Sequence, residues 1–231
     1  MKKWMGFWSV LFGAAAIVCA AINLLPALSP SSASPAHRPE VILIDPGHGG
    51  EDGGTAAADG TLEKNINLAV GLCLRDMFRL WGYPVAMTRE TDVSIYEAGA
   101  STTRQMKSSD MHRRLELYNQ AALVISIHQN HFSVAKYRGA QVFYSGNDPA
   151  SLALATAVRE QLIRQTQPDN TRELKKATDG IFLLYHTTRP AILVECGFLS
   201  NPAEREQLKN PAYQQKIACA VFGGYWQYVE E

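Results

Sequence analysis

Three runs of apolar residues each end in a cluster of polar ones, and this pattern constrains the fold of the 231-residue chain more than any other. The first, 41–45, ends Ile44-Asp45-Pro46-Gly47-His48-Gly49-Gly50; the second, 123–128, ends Ser126-Ile127-His128-Gln129-Asn130; the third, 191–195, ends Val194-Glu195-Cys196-Gly197-Phe198. The run 123–128 lacks the polar alternation of a half-exposed strand and reads as one covered on both faces. Helical periodicity over 62–81, ended by Gly82, separates the first run from a strand at 84–88. Asp110 reads as the cap of a helix through Gln120. A strand at 139–144, a helix at 149–165 and a final helix at 211–229 complete the alternation. Elements in this order predict an α/β fold, a single domain with a mostly parallel central sheet flanked by helices. The stretch 90–109 fits neither period and reads as a surface excursion.

The N-terminus is of another kind. Lys2 and Lys3 are the only charges before His37, and 4–28 is uncharged. Spanning a bilayer takes about 20 apolar residues. The lysines would then stay in the cytoplasm and the remainder would be exported to the outer face of the membrane. A cleavable signal peptide is the rival reading; its apolar core is usually about 7–15 residues, and small residues near 31–36 admit cleavage. The expected organisation is therefore an N-terminal apolar anchor or signal segment over 1–28, a Pro/Ser-rich linker over 29–39 and a catalytic domain over 40–231. Of 22 basic residues, two are in the apolar segment, leaving 20 against 22 acidic ones; this is no footprint of a nucleic-acid binder. Cys19, Cys73, Cys196 and Cys219 have no CxxC or CxxH spacing, and buried thiols are the preferred reading.

In open parallel sheets, ligands bind beyond the carboxyl ends of the strands, so the polar clusters converge there. Glu63, at the start of the first long helix, can reach the same edge. Two histidines and a carboxylate make a catalytic zinc site with one position open to water. His48, Glu63 and His128 are assigned as the ligands. A group must still move the water proton to the leaving amine, and Glu195 suits that role as general acid/base. Taken singly, each has a duller reading: a hydrogen-bonded loop histidine, a helix N-terminal charge for Glu63, a buried ion pair for Glu195. His37, His112, His131 and His186 read as linker or surface residues. Arg138, Lys175, Lys176 and Arg189 read as solvated loop charges, with contact to an anionic peptide carboxylate as the alternative. From the residues alone the reading stops at a metallohydrolase.

The motifs 41–50, Leu62-Glu63-Lys64, 126–130 and 194–201 together resemble, in order and over 41–225, those of the zinc N-acetylmuramoyl-L-alanine amidases. The resemblance implies cleavage of the amide between the lactyl group of N-acetylmuramic acid and L-alanine in peptidoglycan. It also implies zinc on His48, Glu63 and His128, with Glu195 as the catalytic glutamate. One apolar segment, one catalytic domain and no wall-binding repeats resemble the spore-cortex branch, linked to cortex maturation and germination. A zinc peptidase acting on stem peptides remains the alternative. Gln129 and His131 depart from the small or apolar residues usual after the second histidine and the asparagine, and are expected to reshape the groove. No inserted regulatory helix is found, although 90–109 could act as a lid. A protein activator and the oligomeric state are left open.

Overall fold

The computed structural model describes residues 41–230; the apolar segment and the linker, with Cys19 and His37, lie outside the described residues. Among the described residues, no helix is long and apolar enough to cross a membrane. The strands are β1 (Ile42–Pro46), β2 (Val85–Met87), β3 (Leu123–Asn130), β4 (Gln141–Tyr144), β5 (Lys175–Lys176) and β6 (Ala191–Phe198). The helices are α1 (Glu63–Leu80), α2 (Thr103–Gln120), α3 (Ala150–Gln165), α4 (Phe182–His186), α5 (Pro202–Lys209) and α6 (Pro211–Glu230). One six-stranded sheet runs β2-β1-β3-β6-β4-β5. Every pairing is parallel except β4 with β6. The α/β expectation holds.

Burial of both faces explains the unbroken apolar runs. Ile42, Ile44, Ile125, Ile127, Ile192 and Val194 face a core built with Ile66, Val70, Leu74 and Phe78 of α1 and with residues of α3 and α6. Leu43, Val124, Ala191 and Leu193 face the other way, onto Tyr118 of α2 and Leu183 and Leu184 of α4. Successive strand residues alternate between faces. Asp45, Ser126, His128 and Glu195 therefore continue the α2 side, and Gln129 and Cys196 the α1 side. Asp45, His128 and Glu195 consequently meet where the α2 side reaches the carboxyl edge of the sheet.

Four readings need correction. The second helix starts at Thr103, well before Asp110. Its cap is Thr102, which forms a capping box with Gln105, so the last part of the supposed excursion, from Thr103 on, is helical. Asp110 instead accepts from Arg114 Nε at 2.6 Å and from the backbone N–H of Ile95 at 2.8 Å. Lys175 and Lys176 form a short exposed strand rather than a loop. Cys219 is exposed and Cys73 only half-buried. Cys196 is fully buried, and burial pushes its thiol up to about 12.

Candidate metal centre

The turn after β1 is held from beneath by buried charge. Asp45 is fully buried. It accepts from Thr88 Oγ1 at 2.7 Å, Ser126 Oγ at 3.0 Å, the Tyr118 hydroxyl and the Arg114 guanidinium. Burial alone would raise its carboxyl; Arg114, Tyr118 and Thr88 outweigh that and bring it down to about 2. Arg114 also donates to the His48 carbonyl at 2.9 Å. Arg89, likewise buried, donates to the carbonyls of Pro46 and Gly47, both at 3.0 Å. These carbonyls are satisfied outside any ladder, so the loop keeps one conformation. That conformation is demanding: His48 has φ 64°, in the left-handed region where side chains are uncommon.

His48, Glu63 and His128 are brought together by this scaffold. One ligand-type atom from each lies within 4.8 Å of the other two. His128 Nδ1 is 3.0 Å from Glu63 Oε1, and His48 Nε2 is 3.4 Å from Oε2. The far nitrogen of His48, Nδ1, contacts Asp52 Oδ2 at 2.9 Å. A carboxylate behind a histidine fixes its tautomer and leaves the other nitrogen free as a ligand. Burial pulls His48 down, but Asp52 and Glu63 more than reverse this and carry it up to about 9. Glu63 is buried yet supplied with donors: the backbone N–H groups of Thr55 at 2.9 Å and Gln129 at 3.0 Å, and Asn67 Nδ2 at 3.2 Å. Burial opposes its ionisation, but His128 and His48 hold it below the usual carboxylate range. Two glycines keep the space open. A Cβ on Gly47 would lie 2.1 Å from His128 Cε1, and one on Gly54 would lie 2.7 Å from Glu63 Oε2.

Glu195 stands opposite His128 in the β3–β6 register. Its Oε2 is buried with no hydrogen-bond partner among the described residues. Burial, reinforced by Glu63 and opposed by His128 and His48, pushes its carboxyl up to about 7. An unpartnered carboxyl beside two imidazoles and a carboxylate matches the chemistry of a divalent-cation site with an adjacent proton carrier. A cleft of about 400 Å³ opens over these residues. Its opposite wall is made by Lys107 and Met111 of α2 and by the segment Gly180–Leu183.

The expectation that Gln129 reshapes the groove is overturned. Its side chain lies on the α1 side, 3 % exposed, and donates to Asn67 Oδ1 at 3.1 Å. His131 is exposed beyond the end of β3, and His112 and His186 are exposed as expected. Arg138 pairs with Asp169, and Arg189 donates to the Asn119 carbonyl at 3.0 Å, both on the surface. Asp45, Asp52, Asn67, Arg89 and Arg114 received no role from the sequence. Asp52, four residues after His48, was the one legible locally.

The model of the family Amidase_3, N-acetylmuramoyl-L-alanine amidase, matches residues 42–225. The germination-specific N-acetylmuramoyl-L-alanine amidase of Bacillus subtilis is 38% identical over 194 residues, covering 83% of this chain and 81% of that protein. The amidase AmiA of Escherichia coli is 28% identical, covering 81% and 75% respectively. Among solved structures, the CwlD amidase of Clostridioides difficile, in complex with the GerS lipoprotein, superposes with a TM-score of 0.79 at 40% identity. It covers 83% of this chain and 98% of that one.

Proposed function

The chain belongs to the N-acetylmuramoyl-L-alanine amidase family and is a peptidoglycan hydrolase of that type; from this premise we propose that it works with zinc held by His48, Glu63 and His128 and with Glu195 as proton carrier. The observation that carries the proposal is the pairing of a three-ligand cluster with a buried, unpartnered carboxylate across one strand pair. Zinc, when bound, would polarise the amide carbonyl and make a water acidic enough to attack near neutral pH. Glu195 takes the proton of the attacking water. It returns that proton to the amide nitrogen as the bond to L-alanine breaks. Asp52 keeps His48 in the tautomer that presents Nε2, and Arg114 fixes the His48 backbone. Met111, Ile181 and Phe182 form an apolar wall that limits water around the scissile bond.

The likeness to a germination-specific amidase and to the CwlD amidase supports cortex peptidoglycan as the substrate. The lipoprotein bound to the latter supports a protein partner for this chain too. The uncharged stretch 4–28 supports membrane attachment with the domain on the outer side.

Incubating the full-length protein with cortex and with vegetative peptidoglycan, with and without zinc, tests the proposal. Mass analysis should find released peptides with a free L-alanine amino group. Cuts inside the stem peptide would reassign the enzyme as a peptidase. Full activity in metal-stripped protein would remove zinc from the mechanism.

A further inference from the structure

The segment 131–138 leaves β3 immediately beyond Asn130 and carries three exposed large hydrophobic residues: Phe132 at 49 %, Val134 at 43 % and Tyr137 at 39 %. Single exposed apolar residues are ordinary, but three within one short loop are not. The two rings meet edge to face with centroids 4.9 Å apart. The loop continues from β3 and is tied to the segment that follows β6. The backbone N–H of Phe132 donates to Ser200 Oγ at 3.1 Å, and Asn201 Nδ2 donates to the Ala135 carbonyl at 2.9 Å. Ser200 and Asn201 closely follow β6, the strand of Glu195. Next to the ring pair, Tyr137 borders a depression of about 700 Å³ whose other lining includes Arg138, Asn170, Arg172, Asn201 and Gln207.

We propose that Phe132 and Tyr137, with this depression, form a subsite for the N-acetylhexosamine rings of the glycan strand. The inference rests on the peptidoglycan reading and extends it from the bond cut to the polymer held. Aromatic faces stack against the C–H faces of a sugar ring. The Gln207 amide, and the guanidinium N–H groups of Arg138 and Arg172 left over from their bonds to Asp169 and the Arg138 carbonyl, can pair with its hydroxyl and acetamido groups; the Asn170 and Asn201 amides are engaged within the protein. Position favours the same ligand. The scissile amide hangs from a muramic residue within a glycan strand, so any strand whose peptide enters the cleft must cross the carboxyl edge of the sheet. The loop after β3 lies on that edge. Its rigid attachment keeps the platform in register with His128 and Glu195.

The test uses the full-length protein and ligands without a scissile amide: peptide-free glycan strands and an N-acetylglucosamine hexamer, titrated by calorimetry. Both should bind. Replacing both rings, F132A with Y137A, should weaken binding about tenfold or more while the melting temperature stays within a few degrees. The conservative Y137W should retain binding. On cleavable substrates, the ratio of kcat/KM for polymeric peptidoglycan to that for a one-sugar muramoyl-peptide should fall by a similar factor in the double variant. Absence of glycan binding by the wild type, equal binding by the variant, or equal losses on polymer and one-sugar substrate would each overturn the proposal. Loss of a protein partner in place of glycan would reassign the surface. Failure of the amidase reading shows separately, as a wild type that binds glycan but leaves the one-sugar substrate uncut.

Discussion

The turn after β1 and the end of β6 face each other across the candidate metal centre and are built on opposite terms. Around the turn, every buried charge is matched. Asp45 has four side-chain donors, Arg89 and Arg114 hold three carbonyls, and Glu63 has three amide donors besides two histidines. At β6, Glu195 keeps a buried oxygen with none. Groups that must stay in one charge state, holding ligands in place, are saturated with hydrogen bonds. The group proposed to pick up and release a proton is left without them. Neighbouring carboxylates thus have separate acid strengths, Glu63 held low and Glu195 raised to about 7.

Substitutions on the two sides should fail differently. His128→Ala removes a ligand and should abolish both zinc binding and activity, whereas His131→Ala, on the exposed loop, should keep stoichiometric metal. Metal analysis of the purified variants decides this, and loss of zinc from the His131 variant would place the ligand there. Glu195→Gln preserves shape but cannot carry the proton. The rate should fall on the order of 10²–10⁴ with zinc retained. Zinc lost together with the rate would make Glu195 a ligand and erase the contrast.

Breaking the support beneath the turn should cost stability. Asp45→Ala leaves Arg114 with Asp110 as its remaining counter-charge, so the loss should stay below the roughly 3–5 kcal/mol of a fully orphaned buried charge, read as a lower denaturation midpoint with an unchanged slope. The same group gives a pH dependence. Its carboxyl is lowered from 3.8 to about 2 in the fold. The stabilisation is therefore complete above the unfolded value and is lost as pH falls through that interval toward 2. The variant should lose less stability than the wild type between pH 4 and pH 2; parallel curves would mean that Asp45 does not carry the effect.

The sheet and the convergence of His48, Glu63 and His128 were legible because they rest on signals the chain writes locally: unbroken apolar runs for the doubly covered strands, and polar residues at their carboxyl ends. What escaped was of two kinds. Helix α2 buries only Arg114 and Tyr118. It has no apolar stripe to give a 3.6-residue period, and its start is set by the Thr102–Gln105 capping box instead. Strand β5 is two exposed lysines, recruited by Phe143 and Tyr144 rather than by any propensity of its own. Helix α5 did carry a signal, Asn201 as cap and Pro202 in the first turn. The supporting charges escaped for a different reason. Asp45 and Arg114 are 69 residues apart, and only the fold shows that an arginine in a polar helix ends beneath a strand. Gln129 shows the same limit: its position beside His128 suggested the groove, but the two-residue period of the strand turns it to the other face.

Asp52 offers the finest test of the contrast, because it supports the turn without being buried in it. Asp52→Asn keeps an acceptor near His48 Nδ1 but removes the charge. Loss of such a partner typically lowers metal affinity about 10–100-fold. Two opposing effects are contained in that figure. In the metal-free protein His48 is raised to about 9, with Asp52 the leading cause of the rise. At pH 6.5 zinc must displace a proton from His48 in the wild type. In the variant, His48 holds that proton less tightly, which offsets part of the lost orientation. At pH 9 the competition has largely gone from both proteins, and only the loss of orientation and ligand basicity remains. The ratio of wild-type to variant zinc affinity, measured by chelator competition, should therefore be larger at pH 9 than at pH 6.5. An NMR titration of the metal-free proteins should show the His48 midpoint lower in the variant. A ratio that shrinks with rising pH would mean that Asp52 acts on His48 through something other than its proton.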